Sequence, residues 1–215
     1  LHVRKSSSWG QLYFNNNTRF IAKIKEITCD PETFLHLNLN EDDTIGTIHF
    51  NGRECSINGN QTFIHNAILN GHAFINGSNR FDSLSFSPGK TYTLQADQTQ
   101  TIQHHFSSLG NGCFPIRIQS STAGVRSVIS RSTGNVLCGY VELKDQLATG
   151  GATFYAGKFS TNLSNNSGWI FSDGPGYIYG LGADTTICEF DTLLISTEHF
   201  YGGDQFLWQD GSTLP

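Results

Sequence analysis

One phrase occurs twice in this chain and constrains what it can fold into. Ile57-Asn58-Gly59-Asn60-Gln61-Thr62-Phe63 and Ile75-Asn76-Gly77-Ser78-Asn79-Arg80-Phe81 share the form Ile-Asn-Gly-x-x-x-Phe, 18 residues apart. Asn and Gly weaken the interior of a helix. They suit a strand-turn-strand unit, because both tolerate the left-handed backbone of tight turns. Repetition at a period near 20 residues marks a solenoid whose units stack on one another. The stretch therefore predicts two successive turns of a parallel β-helix, right-handed by the usual preference, with Ile57, Asn58, Gly59 and Phe63 beneath Ile75, Asn76, Gly77 and Phe81.

Neighbouring residues extend the pattern. Leu94 follows Ile75 by 19 residues, and Gln95 follows Asn76, so an amide column through Asn58, Asn76 and Gln95 is expected. Gly52, Gly71 and Gly89 recur at similar steps, as do Glu54, His72 and Lys90, a column that reads as a solvated edge. The composition agrees with an all-β chain: charged residues are only 14%, while 16 Phe, 7 Tyr and 3 Trp supply a core. A net charge of −5 with no basic stripe argues against a nucleic-acid partner. No apolar run reaches the length of a membrane span, so direct membrane insertion is not expected. With no Met at all, the chain reads as a piece of a longer polypeptide.

Five cysteines are present, at 29, 55, 113, 138 and 188, none at zinc-ligand spacing. Cys29–Cys55 or Cys113–Cys138 could pair in a secreted protein. The competing reading, which we favour, buries Cys55 and Cys138 as small core residues. The odd number leaves one thiol free or intermolecular.

Along the chain, residues 1–45 read as a capping segment or as first turns. Residues 46–171 carry the β-helix, which at one strand spacing per turn would make a rod of about 35 Å. Gly150 and Gly151 permit close backbone approach, and Phe154, Tyr155 and Trp169 are large enough to plug a terminal turn. Residues 172–183 read as a linker. From 184 to 215, short apolar runs around Cys188, Leu194 and Trp208 resemble the opening of an immunoglobulin-like sandwich too short to be whole.

Several of these stretches resemble a known family. Ile75-Asn76-Gly77 through Pro88-Gly89-Lys90-Thr91, Ile118 through Gly124, and above all Val136-Leu137-Cys138 through Gly150-Gly151-Ala152-Thr153-Phe154-Tyr155-Ala156-Gly157 to Trp169-Ile170-Phe171 are similar to β-helical modules of very large secreted surface proteins of Bacteroidota. The tail from Asp184 looks like the start of their immunoglobulin-like repeats. The resemblance implies export by the type IX pathway, an extracellular or cell-surface location, and a role in adhesion or in surface appendages. It supplies no catalytic residues. Gln103-His104-His105 departs from the family pattern, where small turn residues are expected.

The function expected is thus a non-catalytic structural or adhesive module, with further domains of the same chain, other copies of it, or a glycan or cell-surface ligand as partners. The alternative is a carbohydrate-binding or polysaccharide-degrading β-helix. For binding, Phe74, Tyr92 and Tyr155 are the aromatics that could stack on sugars. For catalysis, the best pair is Arg80 and Asp82 with Lys90 nearby, since Glu54, Asp97, Glu142 and Asp145 are scattered and Asp42-Asp43 would face opposite ways. No cofactor is expected. His104 and His105 would point to opposite faces of a regular strand, and His65 and His72 lie across a turn, so no transition-metal site is expected either. An Asn-rich loop at Asn165-Asn166 leaves room for Ca²⁺.

Overall fold

Alternation of apolar and polar side chains builds the strands, and their stacking builds the rest. The structure, a computed structural model, describes residues 2–3, 23–39 and 43–175. It is an all-β, parallel solenoid of about eight turns, with no helix among the described residues. β1 (His2–Val3) pairs with the end of β2 (Lys23–Cys29). Each early turn has two strands: β2 with β3 (Phe34–Asn38), β4 (Thr44–Phe50) with β5 (Glu54–Asn58), β6 (Phe63–Leu69) with β7 (His72–Asn76), β8 (Asn79–Phe86) with β9 (Thr91–Leu94), and β10 (Thr99–Ser108) with β11 (Ile116–Ser120). Later turns have three: β12 (Ser127–Ser130), β13 (Asn135–Leu137) and β14 (Val141–Lys144), then β15 (Gln146–Thr149), β16 (Thr153–Tyr155) and β17 (Thr161–Ser164). β18 (Trp169–Ile170) lies on the last partial turn.

Three parallel sheets result: an eight-stranded sheet running β1-β2-β4-β6-β8-β10-β12-β15, a seven-stranded sheet from β3 to β17, and the three strands β13-β16-β18. Residues 23–39, left open between cap and turn by sequence, form a regular turn whose Leu35 and Leu37 lie under Cys55 and Ile57. At the other end Asp173 accepts a bond from Lys158 N at 3.1 Å and Gly174 packs on Leu137 and Tyr155, so the segment expected to be a linker begins against the solenoid. The immunoglobulin-like segment expected at 184–215 lies outside the described residues.

The core is a set of inward columns. Leu37, Ile57, Ile75 and Leu94 stack in register, as the repeat predicts, and none is exposed. Burying such a side chain stabilises by roughly 1.5–3 kcal/mol each. Beside them the expected amide ladder forms. Asn58 Nδ2 donates to Asn38 Oδ1 at 2.9 Å, and Asn76 Nδ2 donates to Asn58 Oδ1 at 2.6 Å. Gln95 ends the ladder differently, accepting from Gly77 N at 2.6 Å. Gly77 adopts φ +73°, and a Cβ there would strike the carbonyl of Gly59, so the repeated glycines are required by close stacking. A second polar column runs inside the core, where Asn79 donates to Gln100 Oε1 at 3.2 Å and Gln100 donates to Gly77 O at 2.7 Å.

The final residue of the repeated phrase does not stack as expected. Phe63 pairs with Arg80, and Phe81 pairs with Ile64. One residue fewer separates Ile75 from Arg80 than Ile57 from Phe63, so Phe81 turns inward and is fully buried while Phe63 turns outward. A single-residue slip exchanges the faces of a strand.

Candidate functional site: a polar ridge at one corner

The five long strands of the first sheet, β2, β4, β6, β8 and β10, break their alternation at the same place. In β4 the inward residues are Ile45, Ile48 and Phe50, and both Gly46 and Thr47 face outward between the first two. The same break falls at His65-Asn66 in β6 and at Asp82-Ser83 in β8. In β10 it gains a residue. Ile102 pairs with Phe81 and His105 with Ser83, so Gln103 and His104 together oppose Asp82. This is a β-bulge, a device that re-aims side chains. In the next turn the bend becomes a full loop, residues 131–134, between β12 and β13. Gly150 and Gly151 occupy the same corner one turn later, at φ +99° and +98°, where a Cβ would lie 2.5 and 2.6 Å from the carbonyls of Arg131 and Ser132.

The bulge gathers a cluster. Asp82 Oδ2 lies 3.0 Å from His65 Nδ1, and its Oδ1 lies 3.3 Å from His104 Nδ1. With its amide oriented to suit both neighbours, Gln103 donates to Asp82 Oδ1 at 2.6 Å and accepts from Arg80 Nη2 at 2.9 Å. The Arg80 guanidinium lies over the ring of Phe63, 5.4 Å from its centroid, and Phe63 meets His65 edge-on at 4.5 Å. The side chains of His104 and His65 are 77% and 50% exposed, so their other ring nitrogens face solvent beside the partly shielded carboxylate. The two imidazoles sit on opposite oxygens of Asp82, and among the described residues no group of three His, Cys, Asp or Glu converges to hold a metal. The ridge therefore offers imidazole, guanidinium and carboxylate hydrogen-bonding groups in a row, pre-positioned by mutual contacts.

Two expectations about these residues are corrected. His104 and His105 do not face opposite ways, because the bulge turns both outward. Lys90 does not flank Arg80 and Asp82; it lies in the turn between β8 and β9, where its carbonyl accepts from Arg117 N. Sequence reasoning missed His65, Gln103 and His104 as partners of Asp82. The available signal was the spacing of inward residues, Ile102 to Phe106 being one residue longer than Phe81 to Leu84.

The remaining expected residues fall elsewhere. Glu54 and His72 do stack on the second sheet, but Thr91 rather than Lys90 comes next, its N–H donating to His72 Nδ1 at 3.0 Å. Further along the same column Arg117 bonds Glu142 at 2.6 Å. Tyr92 is no sugar platform: it is wholly buried, stacked on Phe86 with ring centroids 3.7 Å apart. Phe74 faces outward and is 40% exposed. Phe154 is buried between Val136 and Trp169 and meets Trp169 edge-on at 5.2 Å, so these two close the last turns. Tyr155 points outward, half-buried, with Gly174 packed against its ring.

At Asn165-Asn166 the amide nitrogens are committed inward. Asn165 Nδ2 donates to Asp145 Oδ1 and Gly124 O, and Asn166 Nδ2 donates to Leu143 O and Asn162 Oδ1. Donors aimed into a loop tie it together, whereas a Ca²⁺ site aims oxygens inward. Of the cysteines, Cys29, Cys55 and Cys138 are free and buried, which excludes both pairings considered above. Burial raises Cys29 to about 11 and Cys138 to about 12, and raises Cys55 further. Cys113 is disulfide-bonded. No family model matches the chain, and neither a curated protein nor a solved structure does.

Proposed function

We propose that this chain is a structural and adhesive module of a large secreted bacterial surface protein, exported by the type IX pathway and working as a stalk, fibre or cell-contact segment. The observation that carries the reading is continuity: ladders of parallel strands run from β2 to β15 and from β3 to β17 with one core beneath them. Stacked turns of this kind make a stiff spacer whose outer faces are left for contact. The disulfide at Cys113 is in keeping with an oxidising, extracellular setting. Further domains of the same chain, or other copies, would continue the rod.

The exposed ridge around Asp82 favours a second reading, in which the module binds or cleaves a glycan through Arg80, Asp82 and His104. Beads coated with the purified chain separate the two. On the first reading they hold to bacterial or host surfaces, and no polysaccharide in a panel releases reducing ends. Release of reducing ends that disappears in Asp82→Ala, with unchanged circular dichroism, would replace the first reading with the second.

A further inference from the structure

Asn-Gly occurs five times, at Asn51-Gly52, Asn58-Gly59, Asn70-Gly71, Asn76-Gly77 and Asn111-Gly112. Glycine leaves the following backbone nitrogen unhindered, so this dipeptide is prone to attack by that nitrogen on the Asn side chain. The fold treats the five very differently. Four sit in the stacked corners of the solenoid. Gly59 N donates to Asn76 O at 3.2 Å and Gly77 N to Gln95 Oε1 at 2.6 Å, which occupies both nucleophiles. Gly52 and Gly71 are buried, and a Cβ on either would strike the backbone carbonyl of the turn beneath, Thr33 O and Gly52 O respectively. Asn70 Nδ2 is also tied to Asn51 Oδ1 at 2.7 Å.

The fifth lies in the loop between β10 and β11. Gly112 is exposed, and a Cβ placed on it would have no neighbour closer than Tyr140 Cε1 at 3.8 Å. No hydrogen bond engages Gly112 N or Asn111 Nδ2 among the described residues. The side-chain carbonyl, in contrast, is held. Cys113 N and Phe114 N both donate to Asn111 Oδ1, at 3.1 and 2.9 Å. Two backbone donors on a carbonyl oxygen stabilise the negative charge that forms there when the carbon is attacked. The nucleophile is free, the leaving group is free, and the oxygen is bound.

We propose that Asn111-Gly112 is a site of spontaneous, fold-selected deamidation. Gly112 N loses its proton and bonds to Asn111 Cγ, and the electron pair of the carbonyl moves onto Oδ1 between the two donors. Nδ2 takes up a proton from water, balancing the one that Gly112 N gave up to water, and collapse breaks the Cγ–Nδ2 bond and releases ammonia, leaving a five-membered succinimide. Water then opens either carbonyl of the ring and gives aspartate or isoaspartate. The loop thereby gains a negative charge beside the disulfide-bonded Cys113 and the exposed Phe114, which is 54% accessible. A module that persists outside the cell would accumulate this change with age, at one corner and in one turn.

The folded chain is incubated in mildly alkaline water enriched in heavy oxygen, digested and mapped by mass spectrometry. Label is expected at residue 111, with positions 51, 58, 70 and 76 slower by about a hundredfold, the factor that a local opening of about 2.7 kcal/mol imposes. The urea-unfolded chain should label all five at similar rates. Gly112→Ala, which the open loop accommodates, should remove the label at 111 without altering circular dichroism. Equal labelling of the five in the folded chain, faster labelling at 58 or 76, or no label at 111 would overturn the proposal.

Discussion

Tyr92→Phe removes one oxygen atom and tests how successive turns are joined. At the ends of β4 and β6 the following N–H reaches back to the turn beneath: Asn51 N to Cys29 O at 3.3 Å, then Asn70 N to Phe50 O at 2.8 Å. The next step is not direct. Ser87 N donates to the Tyr92 hydroxyl at 2.8 Å, and the hydroxyl donates to Leu69 O at 2.5 Å. A side chain from the second sheet is thus spliced into the backbone ladder of the first. Phenylalanine keeps the stacking on Phe86 and loses both bonds, each contributing about 0.5–1.5 kcal/mol net. Closure of Ser87 N onto Leu69 O would recover about half of this; with both bonds lost the expected cost is about 2 kcal/mol. For a chain of this size that lowers the melting temperature by roughly 4–8 °C.

Urea denaturation gives the free energy, and hydrogen exchange at the Ser87 amide locates it, which matters because stacked turns can open piecewise. The variant should also be less sensitive to alkali. Burial holds the Tyr92 phenol above its ordinary value, against the opposing bond from Ser87. The unfolded phenol therefore ionises first, so this contribution to stability is whole below about pH 10 and lost above it. A loss under about 0.5 kcal/mol, the size of a surface substitution, with unchanged protection at Ser87, would refute the spliced-ladder argument.

Phe81→Ala should cost about 3–5 kcal/mol and Phe63→Ala under about 1.5, measured by urea denaturation, although the two occupy the same place in the repeated phrase. Asn58→Ala, which breaks the ladder to both Asn38 and Asn76, should cost about 1–2 kcal/mol by the same measurement, and combining it with Asn76→Ala should cost less than the sum. Cys29, Cys55 and Cys138 should be inert to a thiol reagent until the chain unfolds. Burial lifts their folded values above the ordinary thiol value of 9.0, so stability should hold below that pH and then fall by up to about 1.4 kcal/mol per thiol per pH unit, more gently in Cys138→Ala.

The columns of Ile57, Ile75 and Leu94 and the amides of Asn58 and Asn76 were legible because the chain passes those positions at nearly constant intervals. Intervals were also what hid the rest. From β9 to β11 the step is 26 residues, Thr91 to Arg117, and from β10 to β12 it is 29, Thr99 to Val128, so a literal period dissolves there. A turn shortened by one residue was enough to turn Phe81 inward while Phe63 stayed outside. Tyr92 looked like a surface aromatic because its depth depends on Ala73, the small residue under it in the same column. The ridge at Asp82 draws on three turns, and no local motif announces a contact between residues 65, 82 and 104.

The corner that holds that ridge passes one residue per turn at Gly46, His65 and Asp82, two at Gln103-His104, and four at 131–134. Inward neighbours on either side keep their columns from β4 to β10. Added length at this position is taken up outside the core, so a foreign peptide grafted between Ser132 and Thr133 would be displayed without repacking the core. The same property lets this corner carry a different outward face on an unchanged scaffold.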